Sequence, residues 1–159
     1  MRNVFAAIVF TILTAGAAEA QQGQIKGFYI GMSKADVLRL KPTELTVKES
    51  APKEGEKGRI LQFQATVGGI SAQFTLTRGN TVRSFFLAKS YFNASGMTTD
   101  QFYQAILDQY QIRKVICGYV TIEAMPQRFC RGLTSEGDAA ELTPDGIEII
   151  GHLGQNPRS

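Results

Sequence analysis

Few residues in this chain could do nucleophilic or metal chemistry. Cys117 and Cys130 are its two cysteines and His152 its one histidine. An even cysteine pair in an exported chain reads as a disulfide. Val120 and Ile122 alternate with Thr121 and Glu123, and Pro126 marks a turn, so a hairpin here brings the two sulfurs onto neighbouring strands. Free thiols or a redox pair are the alternatives, but the spacing is not the Cys-x-x-Cys of redox catalysts. Two cysteines and one histidine fall short of the four ligands of a structural zinc site. Paired carboxylates catalyse glycoside hydrolysis. Asp138, Glu141 and Asp145 lie close in sequence, yet in a turn-rich stretch where acids mostly face solvent. No Gly-x-Ser-x-Gly, His-Glu-x-x-His or phosphate-binding glycine loop is present. The expectation is a protein without catalytic, cofactor-binding or metal-binding residues.

The cysteine reading depends on export, and the first twenty residues carry that signal. Arg2 makes a basic start, Val4 to Leu13 form an apolar run, and Ala18-Glu19-Ala20 fits the small-x-small processing site. The run is shorter than the roughly 20 residues of a membrane span. Cleavage after Ala20 would leave about 139 residues, enough for one domain with its own core. The expected organisation is a signal peptide at 1–20, a single α+β domain at 21–153 and a disordered tail at 154–159, in the periplasm or secreted. No cysteine follows the processing site, so no lipid anchor is expected, and no later stretch suits a membrane span. The net charge of +3 comes from scattered Lys and Arg, whereas nucleic-acid binders concentrate them on one face.

Two helix starts look alike. Gly31-Met32-Ser33 precedes Asp36, and Gly96-Met97-Thr98 precedes Gln101. In each, a hydroxyl residue is followed three positions later by a side chain that can reach back, which is a capping box or close to it. The first helix is expected from about Lys34 to Lys41, before Pro42, and the second from about Thr99 to Tyr110. Between them the period changes to two. Leu61 to Val67 and Ile70 to Leu76 form strands around a tight Gly68-Gly69 turn, and Val82 to Lys89 forms a third beyond Arg78-Gly79-Asn80. Glu49 to Gly58 reads as a charged mobile loop. Later come short strands, a polar loop from Gly132 to Asp138, and a Thr143-Pro144-Asp145-Gly146 turn in which Gly146 is expected at positive φ. Ile147 and Ile149 then suit an edge strand. The fold class expected is α+β, with short helices packed on one face of an antiparallel meander and the similar helix starts suggesting a degenerate tandem repeat.

One face of that meander draws attention. Gln62, Gln64, Gln73 and Thr75 are polar but uncharged, unlike a face meant only for water. With Val82, Phe86 and Ala88 toward the core, Phe85 and Leu87 point outward into this polar field, and Tyr91 follows beyond the strand. An apolar centre with a polar rim is a common form of protein-binding surface. The alternative is that another part of the chain covers these residues, since a strand apolar on both sides is often central.

At Gly31-Met32-Ser33 and the helix behind it, the chain resembles a group of small exported bacterial proteins. The group includes the outer-membrane assembly lipoprotein BamE (the SmpA/OmlA family) and the secreted beta-lactamase inhibitor proteins. The inhibitors look like a tandem of such units, which Gly96-Met97-Thr98 would match. The chain lacks the lipidated cysteine of the first and carries fewer cysteines than the second. The resemblance implies a fold type and a binding role toward an unidentified envelope or secreted protein. The second expectation is a carboxylate enzyme or a weak binder of cell-wall or anionic envelope polymer.

Overall fold

The computed structural model describes residues 24–51 and 58–152. The segments expected to be a signal peptide (1–20) and a disordered tail (154–159) lie outside the described residues. The elements are α1 (Lys34–Arg39), β1 (Leu45–Ser50), β2 (Arg59–Ala65), β3 (Ile70–Leu76), β4 (Val82–Ala88), a 3-10 turn (Lys89–Phe92), α2 (Thr99–Gln109), β5 (Arg113–Ile122), β6 (Met125–Leu133), β7 (Ala139–Thr143) and β8 (Gly146–Ile150). No helix among them is long and apolar enough to cross a membrane.

Both helices begin where the capping chemistry places them. The Ser33 hydroxyl accepts from the Asp36 N–H at 3.2 Å. At α2 the exchange is complete: Thr98 Oγ1 accepts from the Gln101 N–H, and Gln101 Oε1 accepts from the Thr98 N–H. α1 is shorter than expected, ending at Arg39 with Leu40 as its cap.

The strands form one antiparallel sheet of eight, in the order β1-β2-β3-β4-β8-β7-β6-β5. The chain winds inward from one edge to β4 and crosses through α2 to the far edge. It then winds inward again to β8, which pairs with β4. This β-rich fold, mostly one eight-stranded antiparallel sheet, overturns the expected α+β class of short helices packed on one face of an antiparallel meander. Two strands account for much of the difference. β1 buries only Leu45, so its alternation is faint, and it takes Glu49 and Ser50 out of the expected loop, most of whose remainder (52–57) lies outside the described residues. β7 follows directly on the polar turn and supplies Ala140 and Leu142 to the core. The expected edge strand, β8, is central, between β4 and β7.

The core lies on one face. Leu61, Phe74, Phe85, Ile149 and Ala140 stand opposite one another across five strands. Phe63, Ala72, Leu87, Ile147, Leu142 and Cys130 make the adjacent row, and all eleven are buried. Phe28 caps them, its ring 4.8 Å from Phe74 and 6.2 Å from Phe85 between centroids. α2 adds Phe102, Tyr103 and Ile106. Each fully buried aromatic or aliphatic side chain contributes roughly 1.5–3 kcal/mol from loss of apolar surface to water.

Three turns depart from expectation. Gly68 and Gly69 do lie at positive φ, 118° and 87°, but the link from β2 to β3 is four residues long, and the register shifts at Phe63/Gln64. The β5–β6 turn is at Glu123-Ala124, both at positive φ, and Pro126 lies within β6 opposite Thr121. Pro144-Asp145 makes the β7–β8 turn, but Gly146 needs no positive φ. It is required because a Cβ there would stand 2.2 Å from the Leu87 carbonyl oxygen.

Cys117 and Cys130 face each other on β5 and β6 and are bonded. Closing a loop of this length stabilises by roughly 3 kcal/mol in the chain-entropy model.

Candidate interaction face

Side chains alternate across a sheet, so the residues between the core rows share its other face. One row crosses all eight strands: Lys48, Gln62, Gln73, Phe86, Glu148, Glu141, Arg131 and Ile116. Its first three residues are polar, and the glutamines there bond to one another. Gln62 Nε2 donates to Gln73 Oε1 at 2.9 Å, and Gln64 Nε2 donates to Gln62 Oε1 at 3.4 Å.

Its centre combines rings and charges. The Phe86 ring lies across Gly146, with Cζ 2.8 Å from the place a Cβ would occupy, and the Phe129 ring lies across Gly118 in the same way at 3.2 Å. Each phenylalanine therefore fills a gap left by a glycine on the next strand and stays half-buried on the open face. Arg131 Nε meets Glu141 Oε1 at 3.0 Å, and its guanidinium sits 5.6 Å from the Phe129 ring centre. Glu148 stands directly opposite Glu141, and none of the ion pairs among the described residues includes it. Burial first, and then the Glu141 charge, push its pKa above the usual carboxylate value. Like charges directly opposite in a sheet are destabilising, so a cation brought to Glu148 from outside would be favoured.

This has a measurable consequence for stability. A carboxyl group whose folded pKa is raised costs the native state most when ionised. The cost is absent below the unfolded pKa and grows as pH rises from there through the raised folded value. Glu148→Gln is expected to raise the urea midpoint at neutral pH and to leave it unchanged at a pH below the ordinary glutamate pKa. An equal effect at both pH values would show that the carboxylate carries no penalty.

The expected site residues divide between the two faces. Gln62, Gln64, Gln73 and Thr75 do share the open face. Phe85 and Leu87 do not, being 1% and 0% exposed in the core. The cause is the register shift at Thr75/Leu76, where Leu76 pairs with Val82 and Thr75 with Ser84. Arg83 is the extra residue, so Val82 and Phe85 both face inward and Phe86 turns out. Tyr91 also belongs to the core side. Its ring is 6.0 Å from Phe28, and burial, helped by the Glu44 charge, pushes its hydroxyl to about 12. Sequence reasoning missed Phe86, Phe129, Glu141, Glu148 and Arg131 as a group. The signal for Phe86 was present, but its parity was reversed.

Other candidate chemistry is dispersed. Asp138 and Asp145 lie in the turns at opposite ends of β7, so the three acids form no cluster. The Asp138 carboxylate accepts from the His152 N–H at 3.3 Å. An open cleft of about 410 Å³ lies where α2 meets the β5–β6 hairpin, lined by Asp100, Tyr119, Gln127 and Arg128 among others. Asp100 and Arg128 pair with each other there, and Tyr103 Oη donates to the Arg128 carbonyl at 2.7 Å. The cleft reads as a bonded seam between helix and hairpin. Among the described residues no group of three or more His, Cys, Asp or Glu could hold a metal ion. Comparison with protein-family models, curated proteins and solved structures finds no match to this chain.

Proposed function

We propose that the chain is an exported, non-enzymatic protein-binding module of the assembly or inhibitor kind, which grips another envelope or secreted protein with the open face of its sheet. The observation that carries this reading is the central group of Phe86, Glu148, Glu141, Arg131 and Phe129. The half-buried Phe86 ring stands beside a carboxylate that has no ion pair among the described residues, the half-buried Phe129 ring lies two strands away on the same face, and glutamine and threonine continue the face beyond Phe86. Aromatic anchors and desolvated charges are the parts of an interface that carry most of its affinity. The processing site after Ala20 supports the location, and the likeness of the two Gly-Met-Ser/Thr openings to exported binding proteins points the same way.

The test is to crosslink a tagged copy in its native host envelope and identify what is attached by mass spectrometry. One dominant partner is expected. Phe86→Ser combined with Glu148→Lys should weaken its binding by about 30-fold or more, the scale of a single hot spot. Undiminished binding by a folded double variant would remove the open face from the function.

The opposed Glu141 and Glu148 favour one second reading, a carboxylate-dependent enzyme acting on cell-wall material. Glu148, held toward its protonated form, would be the acid. Turnover abolished by Glu148→Gln would favour it over the binding module.

A further inference from the structure

The two edges of the sheet are built differently. β1 is short and carries Lys48 and Glu49, and Glu49 is tied to Lys34 at 2.7 Å and to Arg59 at 3.5 Å. Such charge blunts an edge against further pairing. β5 is ten residues long, and its outer part, Ile116 to Ile122, contains no charged residue. Ile116 is 76% exposed and Tyr119 73%. Isoleucine, tyrosine, valine and threonine are also the residues that favour strands.

The backbone of this edge is poised to pair. Cys117 and Cys130 have Cα atoms 4.0 Å apart, the close spacing of an antiparallel pair that exchanges no backbone hydrogen bonds. Pro126, which has no N–H, occupies the same kind of position opposite Thr121. By the two-residue repeat, Cys117, Tyr119 and Thr121 all point their N–H and C=O groups away from β6. Among the described residues no strand lies beyond β5.

We propose that β5 pairs antiparallel with β5 of a second copy of this chain, about a two-fold axis at Tyr119. In that register Tyr119 meets Tyr119 of the other copy and Cys117 meets Thr121, each pair exchanging both backbone bonds. On the open face Ile116 falls beside Ile122, and Gly118 beside Val120. Lys114 of each copy comes opposite Ala124 of the other, one residue from Glu123 in the β5–β6 turn, so a cation and an anion lie near each other at each strand end while the middle is neutral. This self-complementarity selects a second copy over an unrelated strand, and the interface is isologous, as a two-fold dimer requires. The two open faces then join into one continuous sheet.

Sedimentation of the full chain over about 1 to 100 µM should show a reversible monomer–dimer equilibrium. Thr121→Pro removes an N–H that points off the sheet. It should weaken association at least tenfold, with little change in the thermal midpoint measured at a concentration where the chain is monomeric. Tyr119→Lys places two cations on the axis and should act in the same direction, which guards against misfolding of the proline variant. Lys114→Glu should weaken the dimer, and adding Glu123→Lys to the same chain should restore it. Glu148→Lys, on the open face away from β5, should leave it intact. A chain that stays monomeric throughout this range, or a dimer indifferent to Thr121→Pro and Tyr119→Lys, overturns the proposal.

Discussion

Replacing Phe85 with Ala is expected to lower stability by about 3–5 kcal/mol, and replacing Phe86 with Ala by only about 1 kcal/mol. The two residues are neighbours of the same type, so propensity and composition cancel in the comparison. What differs is the face. Phe85 is 1% exposed, stacked 6.0 Å from Phe74 and packed beneath Phe28. Truncation there leaves a cavity in a row of fixed rings that cannot collapse to fill it. Phe86 covers Gly146 from the open side, so its loss exposes a glycine and empties no enclosed volume. Urea unfolding followed by far-ultraviolet circular dichroism measures both variants, since the chain has no tryptophan to report. Binding should show the reverse ranking, with Phe86→Ala weakening the partner complex. Equal destabilisation by the two changes would mean that the register shift in β4 does not set its parity.

Gly146→Ala is expected to cost about 3 kcal/mol or more, unusual for the addition of one methyl group. The new Cβ would stand 2.2 Å from the Leu87 carbonyl oxygen and 2.9 Å from Ala88 Cα. Both are backbone atoms, so no side chain can rotate away. Relief requires β8 to separate from β4 at the Ala88–Gly146 pair. That pairing is where the two four-stranded halves join. The substitution should therefore lower the unfolding midpoint and also loosen the joint, seen as faster amide exchange in β4 and β8 than in β2 or β6. A cost below about 1 kcal/mol would show that the strands can part there without strain.

These expectations differ in how visible they were beforehand. The alternation of Leu61, Phe63, Ala72 and Phe74 made the inward face of β2 and β3 plain, because each strand repeats its pattern over several residues. Extending that alternation from Val82 through β4 reversed the faces of Phe85, Phe86 and Leu87, because one extra residue, Arg83, shifts every side chain beyond it. Nothing within Val82–Ala88 marks the shift. It arises from how β3 and β4 pair. Glu141 was weighed only with Asp138 and Asp145, its neighbours in sequence, whereas the β7–β8 turn brings it face to face with Glu148. Gly146 was recognised as special but for the wrong cause, since turn chemistry is local and the approach of β4 is not.

What the sequence by itself determined is the set of features that depend on a few adjacent residues. These are the capped starts of α1 and α2, three of the four strands between them (β2, β3 and β4), the Pro144-Asp145 turn and the pairing of Cys117 with Cys130. Their physics is satisfied within one turn, one strand or one hairpin, so the residue types suffice. The tertiary structure alone decided that β8 is central, that β1 and β5 are the edges, and that Phe86, Glu148, Glu141, Arg131 and Phe129 form one surface. Those outcomes depend on β4 meeting β8 across about sixty residues of intervening chain. A pairing between distant strands is chosen by the packing of the shared core, which no local pattern encodes.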